Sequence, residues 1–571
     1  MRYTGGEALV QVLKRQGVKA IFSSPGTEWA PVWEALAKLH AGGDKEITYY
    51  NCRHEMLAMS AAIGYAEKSG ELPAVLLHTS SGLLHAAMGI RGAYMEHVPV
   101  VICAGESIRF TEGEDAESGR GWQWLHSLSD VGGTTRMVAP YVKWSQAITS
   151  RETVCGTVAR ACQIARMSPH GPVFFSISKE YLQEEAEETM PQIPLPHTYT
   201  SPDPKDIEKI AALLVDSQNP IIITQKVGTN AEAVKKLVEL AEALAIPVFE
   251  SITQDAVNFP REHPLHAGFD VTQAIREADV VLAVAAITPW NSQRTAPRPE
   301  AKIIFIDDKA PYNRFPYWNY RADMILAVEP LQVLEALVER VKAKRIGASD
   351  RSKRFELWKG KHDQLLASWD NHIQKARLNK PIDPHCLCHT INEWLPPEAI
   401  VVEETITHKV SIARFLRRVK PGNFVMGHAG GLGTGMGISL GVKIASPSQP
   451  VVNLVGDGSF NYNPVLSALG FSQEYHIPVL TIVFNNGAYK AMQSAHLRLY
   501  PEGWASRTQT YYGVDIAPNP DYAQLAKSFD AYGEKVEDPG EIAHALGRAW
   551  EAMKHGKTAL LDVILDPRDP R

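Results

Sequence analysis

Two short segments carry the chain's clearest chemistry. Gly456-Asp457-Gly458-Ser459 and Asn485-Asn486-Gly487 each follow a strand-length apolar run, at 451–455 and 479–484. A carboxylate and an amide oxygen are hard donors of the kind Mg²⁺ prefers, and magnesium commonly completes its octahedron with phosphate oxygens and water. The glycines at 456 and 458 let a diphosphate come close to backbone amides. Glu55 stands where a strand-like segment (EITYYN) gives way to a small-residue helical run (MLAMSAAIGYA). An acid in a first helical turn is favoured by the macrodipole, so helix capping alone is also a role open to it. Glu28 lies in the loop Pro25-Gly26-Thr27-Glu28-Trp29, while His78, His85 and His97 fall at strand or helix ends. Imidazoles there can shuttle protons. Taken singly, each is equally an ordinary solvated or structural side chain.

Asp457 and Asn485 act together only if the strands before them are neighbours. The helical stretch between them (NPVLSALGFSQEY) makes a βαβ unit, whose strand ends emerge side by side where α/β proteins bind ligands. The pattern recurs in AVLLH (74–78), PVVICAG (99–105), GPVFFSI (171–177), NPIIIT (219–224), DVVLAVA (279–285) and KIIFID (302–307). Such continuous runs suit strands buried on both faces of a parallel sheet. The stretches between them are apolar at i, i+3 and i+4, as amphipathic helices are. The expected fold is α/β, with three doubly wound parallel-sheet domains. A Pro- and acid-rich stretch (184–204) and a charged one (342–384) set the expected boundaries at 1–185, 200–345 and 375–571.

The remaining composition narrows the function. Of 571 residues 45% are hydrophobic and 21% charged, with a net charge of −6 and basic residues dispersed. A nucleic-acid partner therefore has no electrostatic footing. No apolar run reaches the ~18 residues of a membrane span, and the N-terminus lacks the apolar core of a signal peptide. Six cysteines without a C-x-x-C pair make no disulfide framework. A cytoplasmic enzyme is expected.

The GDGS and NN segments, in this strand–helix–strand setting, resemble the diphosphate-binding signature of thiamine diphosphate (ThDP)-dependent enzymes. The resemblance extends over most of the chain, in the order pyrimidine-binding, central and diphosphate-binding domain. It is strongest to acetolactate-synthase-like and benzoylformate-decarboxylase-like members, whose glycine-rich turn is similar to His428-Ala429-Gly430-Gly431-Leu432-Gly433. The resemblance implies that Asp457, Asn485 and the Gly487 carbonyl hold Mg²⁺. It places Gly456, Gly458, Ser459, Ala488 and Tyr489 along the cofactor. The Gly430 carbonyl would accept from the 4′-amino group, and Leu432 would wedge the two rings into their bent form. Arg53-His54-Glu55 followed by Gly64-Tyr65-Ala66 matches the segment whose glutamate bonds the pyrimidine N1′. There it favours the imino tautomer that removes the thiazolium C2 proton. The resemblance further implies a homodimer or homotetramer with active sites between subunits.

The chain also departs from the pattern. Members often carry Phe-Gln ahead of Pro-x-Thr-Lys, but the corresponding segment is Ala139-Pro140-Tyr141-Val142-Lys143-Trp144. Ser129 or Asp130 falls at the glutamine's place, and Gln123 reaches it only through a shift. This segment departs from a standard acetolactate-synthase active site. Glu28, His78 and His97 are the candidate substrate-side acids and bases, and Tyr489, Met492 and Gln493 are expected to overlook the substrate. His385-Cys386-Leu387-Cys388-His389 reads as core cysteines with surface histidines, because no second ligand pair follows. In the central block, Ile223 to Gly228 and Ala286 to Trp290 lack the glycines of a flavin site. Arg294 and Arg298 could meet a phosphate, but a vacated nucleotide site is expected and FAD is not.

These residues lead to ThDP- and Mg²⁺-dependent cleavage or formation of a C–C bond beside a carbonyl. The expected reaction is decarboxylation of a 2-oxo acid or acetolactate-synthase-like carboligation, a lyase or transferase chemistry. Three alternatives stand beside it: a flavin-dependent oxidase of the pyruvate-oxidase type, a non-decarboxylating lyase or hydrolase of diketones, and a non-catalytic ThDP-binding regulator.

Overall fold

The computed structural model describes residues 2–106, 133–187, 201–251, 256–315, 317–343, 348–427 and 431–567. Three parallel sheets account for nearly every strand. The first region contains β1 (Arg2–Thr4), β2 (Ala20–Ser24), β3 (Thr48–Asn51), β4 (Ala74–Leu77), β5 (Val101–Glu106), β6 (Ser145–Ile148), β7 (Val173–Ser178) and β8 (Glu185–Glu187). The central region supplies β9 (Pro220–Thr224), β10 (Val248–Glu250), β11 (Val280–Val284), β12 (Lys302–Ile306) and β13 (Met324–Leu326). The last contains β14 (Ile400–Glu404), β15 (Phe424–Met426), β16 (Val451–Gly456), β17 (Leu480–Asn485), β18 (Tyr532–Val536) and β19 (Ala559–Ile564).

The strand orders are β3-β2-β4-β5-β7-β6, β10-β9-β11-β12-β13 and β15-β14-β16-β17-β19-β18. In each sheet the chain runs from one strand to a neighbour on one side and then crosses to the other side. That reversal opens a crevice at the strands' carboxyl ends. It lies between β2 and β4, between β9 and β11, and between β14 and β16. The apolar runs explain the burial: every residue of β7, β9, β11, β14 and β17 is buried, as strands covered by helices on both faces must be. A two-stranded antiparallel ribbon, β1 with β8, lies outside the parallel pattern and ties the N-terminus to the end of the first region.

The charged stretch read as a boundary contains a 29-residue helix, Ala348–Ala376. The first and last regions are packed directly together. The Glu55–Ser69 helix lies along the Gly435–Ala445 helix, and both are lined by small residues. A Cβ added at Gly437 would stand 1.9 Å from Ser60 Oγ, one at Gly441 1.9 Å from the Ala61 carbonyl oxygen, and one at Gly64 2.0 Å from that of Ile438. Only glycine permits backbones this close. Leu57, Ile63, Ile438 and Leu440 belong to one apolar core spanning both regions.

Candidate active site

At the crevice of the last sheet, β16 delivers Asp457 and β17 delivers Asn485, both buried. They converge on one backbone amide: Gly487 N donates to Asp457 Oδ2 (2.7 Å) and to Asn485 Oδ1 (3.2 Å). The amide of Asn485 cannot flip freely, because its Nδ2 donates to Asp562 Oδ1 at 2.8 Å. Its Oδ1, which also accepts from Asn519 Nδ2 (2.8 Å), therefore stays turned toward Asp457. Burial raises the Asp457 carboxyl to about 6, and Asp562 likewise to about 6. Two buried oxygen donors, one a carboxylate whose charge is poorly solvated, fit a hard divalent cation. Gly487 has φ +69°, a left-handed conformation suited to glycine. Gly458 lies under the Tyr489 ring, where an added Cβ would come within 2.6 Å of it. Ser459 is buried in the same turn, Gly456 precedes Asp457 as N-cap, and Ala488 N donates to Asn486 Oδ1 at 3.1 Å. Met492 and Gln493 lie on the Lys490–Leu499 helix that follows, with Met492 exposed.

Beside Asp457 at the same crevice stands Glu404, the last residue of β14 and fully buried. Its Oε1 accepts from Gly433 N (2.6 Å) and Thr434 N (3.0 Å). Its Oε2 accepts from Gly435 N (3.0 Å) and Asn463 Nδ2 (2.7 Å). Burial pushes this carboxyl up to about 7, against the four donors that favour its charged form. One side chain thus fixes the glycine turn and the start of the helix after it. Leu432 sits half-buried in that turn, whereas Gly430 lies outside the described residues. So do Gln123, Ser129 and Asp130.

In the first region, Glu55 opens its helix and His54 caps it, with His54 Nδ1 accepting from Met56 N at 3.0 Å. Glu55 Oε2 lies 3.3 Å from His85 Nδ1, and the His85 ring stacks on that of His54 at 5.6 Å. At the crevice between β2 and β4, Trp29 Nε1 donates to the Leu77 carbonyl (3.0 Å), which pins the loop bearing Glu28. Glu28 is wholly buried, and both of its carboxylate oxygens lie 3.0 Å from His78 Nδ1. Gly26 and Gly105 make room for the pair, since a Cβ at either would overlap His78 or Glu28. Gly82 packs between Glu55 and His78, its Cβ direction 3.3 Å from both Glu55 Cγ and His78 Cβ. The glycine turn of the last region reaches the same neighbourhood: a Cβ on Gly431 would stand 2.3 Å from Met88 Sδ, one helical turn beyond His85. Glu55, His78 and Glu28 are therefore gathered, and the glycine turn approaches them.

His97 is placed elsewhere. It ends the Thr79–Glu96 helix in a left-handed conformation and lines a cavity of about 580 Å³ at the central crevice, with Lys226, Gly228, Asp307 and Lys309. Burial first, then the charges of Arg314, Lys309 and Lys226, push its imidazole down to about 3, so it stays neutral. The exposed Arg294 and Arg298 do not line this cavity.

Three regions of the sequence match models of one family: the thiamine pyrophosphate enzyme N-terminal TPP binding domain over residues 3–124, the central domain over 207–337 and the C-terminal TPP binding domain over 406–563. The chain belongs to the thiamine pyrophosphate enzyme family. Similar to it are a probable acetolactate synthase large subunit of Methanocaldococcus jannaschii, 27% identical over 99% of this chain and 92% of the relative, and the acetolactate synthase isozyme 3 large subunit of Escherichia coli, 26% identical over 99% and 95%. A sulfoacetaldehyde acetyltransferase of Rhodobacter capsulatus is 25% identical over 99% and 95%. The fold matches the thiamine diphosphate-dependent 4-hydroxybenzoylformate decarboxylase of Rhodococcus jostii with a TM-score of 0.79 at 24% identity, covering 99% of this chain and 100% of that one. Benzoylformate decarboxylase from Polynucleobacter necessarius gives 0.77 at 21% identity, covering 99% of each.

Two residues outside the motifs complete this arrangement: Glu404, which holds the glycine turn, and Asp562, which holds Asn485. Both had a signal. Each is an acid inside or at the end of a largely apolar buried strand, IVVEE (with Glu403 beside Glu404) and ALLDVI, where a charge is costly unless it is paired or hydrogen-bonded.

Proposed function

We propose that this enzyme uses ThDP and Mg²⁺ to decarboxylate a small 2-oxo acid, with Asp457, Asn485 and the Gly487 carbonyl holding the metal. The pair of buried Glu28 and half-exposed His78 beside Glu55 carries this reading, because decarboxylation to an aldehyde needs a proton donor on the substrate side. When bound, ThDP supplies the nucleophilic carbon and the electron sink that let a 2-oxo acid lose CO₂. Glu55, largely shielded from water, would hold a proton at the pyrimidine N1′. Glu28 would accept from His78 Nδ1–H and fix one tautomer, leaving Nε2 as the atom that exchanges a proton with substrate. The same constellation supports carboligation if a second carbonyl compound takes the acyl unit in place of the proton. Met88 and Leu84, exposed one turn apart near the glycine turn, together with exposed Tyr462 and Leu466, offer an apolar face that fits the expected homodimer or homotetramer. Among the described residues no helix is long and apolar enough to cross a membrane, and cytoplasmic residence belongs to this proposal.

The test is CO₂ release from a panel of 2-oxo acids with ThDP and Mg²⁺, with Glu55→Gln as control and product identification by mass. Release that disappears in Glu55→Gln, with aldehyde as product, supports decarboxylation. A ketol product points to ligation. No release from any acid despite ThDP binding would overturn the reading.

A further inference from the structure

The joint between the linker helix Ala348–Ala376 and the helix Pro384–Trp394 gathers three metal-ligating side chains from two elements: His372, Asp383 and His385. His385 Nδ1 lies 3.0 Å from His372 Nε2, His372 Nε2 3.4 Å from Asp383 Oδ2, and His385 Nδ1 3.4 Å from Asp383 Oδ1. The two imidazole planes stand at 86°. A tetrahedral ion with bonds of about 2.0–2.1 Å holds its donors roughly 3.3–3.4 Å apart; the His372 Nε2–Asp383 Oδ2 pair is at that spacing, the two imidazole nitrogens are slightly closer, and one ligand atom from each of the three residues lies within 4.8 Å of the others. We propose that His372, Asp383 and His385 form a zinc-type transition-metal site that braces the linker helix against the diphosphate-binding region.

The local structure is already built for this. Asp383 Oδ1 is engaged as N-cap, accepting from His385 N at 2.8 Å and Cys386 N at 3.4 Å, so the carboxylate is held while Oδ2 faces His372. The Ile382 carbonyl accepts from Asp566 N at 2.9 Å, anchoring the loop to the chain just beyond β19. His385 is buried and the His372 side chain is 47% exposed, which leaves an ion an open position toward solvent. Two imidazoles and one carboxylate suit Zn²⁺, Co²⁺, Ni²⁺ or Cu²⁺ rather than Mg²⁺. The buried Cys386 and Cys388 take no part.

The test uses the full-length, untagged enzyme, saturated with ThDP and excess Mg²⁺ and stripped of transition metals on a chelating resin. Titration with Co²⁺ should give one equivalent per chain with the intense visible bands of four-coordinate cobalt, bleached by Zn²⁺. Replacing an outer-shell partner already costs 10–100-fold in affinity, so His372→Ala should weaken Co²⁺ binding at least about tenfold. Asp383→Asn keeps the N-cap and should weaken it comparably. Zn²⁺ should raise the melting temperature of the wild type and not of His372→Ala. Absent bands, or equal binding by wild type and both variants, would overturn the proposal.

Discussion

The tight packing of the Glu55–Ser69 helix on the Gly435–Ala445 helix makes Gly441→Ala a sharp test of how Glu55 is positioned. The new Cβ would fall 1.9 Å from the Ala61 carbonyl oxygen and 2.8 Å from Tyr65 N, where 3.0 Å is the shortest approach that real Cβ atoms make. The two helices must therefore part by roughly 1 Å, since neither contact is a flexible side chain that could swing away. Overpacking of this kind costs up to about 3 kcal/mol. The higher helix propensity of alanine returns about 1 kcal/mol, which leaves a net destabilisation of up to about 2 kcal/mol. Because Glu55 begins the displaced helix, misplacement of about 1 Å should also slow turnover by about 100-fold. Mg²⁺-dependent ThDP binding should fall less than turnover, since Asp457 and Asn485 belong to other elements and only the Glu55 contact is displaced. Denaturant unfolding, turnover of a 2-oxo acid and ThDP titration separate the three effects. Gly547→Ala is the control: nothing lies near its Cβ direction, so it should gain stability by about 1 kcal/mol. A Gly441→Ala enzyme with wild-type midpoint and rate would refute the argument that this contact sets the position of Glu55.

Glu404→Gln turns an NH₂ group toward two of four backbone or amide donors; a loss of about 3 kcal/mol or more is expected, with weaker ThDP binding, by denaturant unfolding and cofactor titration. Asp562→Ala releases the Asn485 amide and should lower Mg²⁺ affinity about 10–100-fold in a metal titration of ThDP binding. His97 has a folded pKa of about 3, below its unfolded value near 6.5, so the unfolded chain binds the extra proton in acid. Its contribution is therefore complete above pH 6.5 and is lost as pH falls toward 3, by up to about 1.4 kcal/mol per pH unit. Asparagine tolerates the left-handed backbone at this position (φ +59°), and His97→Asn should flatten the decline between pH 6.5 and 5. Identical slopes for the two proteins would exclude His97 as the source.

Much of this protein was legible in the sequence because it depends on local order. Continuous apolar runs ending in Gly456-Asp457-Gly458 and Asn485-Asn486-Gly487 dictate buried parallel strands with polar residues at their carboxyl ends, and the sheet registers place them side by side. The three-domain α/β fold follows from the same runs. What the tertiary structure decided is which distant residues meet. Glu28 becomes one half of a pair only when β2 and β4 are neighbours and set it against His78, 50 residues away. His97 lies at the far end of the helix that His78 begins, so the helix carries it away from the strand ends to the central cavity. Glu404 reaches the glycine turn across 29 to 31 residues, and His385, read as a surface residue, is buried against His372 from the linker helix. Spacing along the chain encodes strands and turns. The pairing of buried charges is set by the order in which the sheets are wound, which one-dimensional periodicity does not contain.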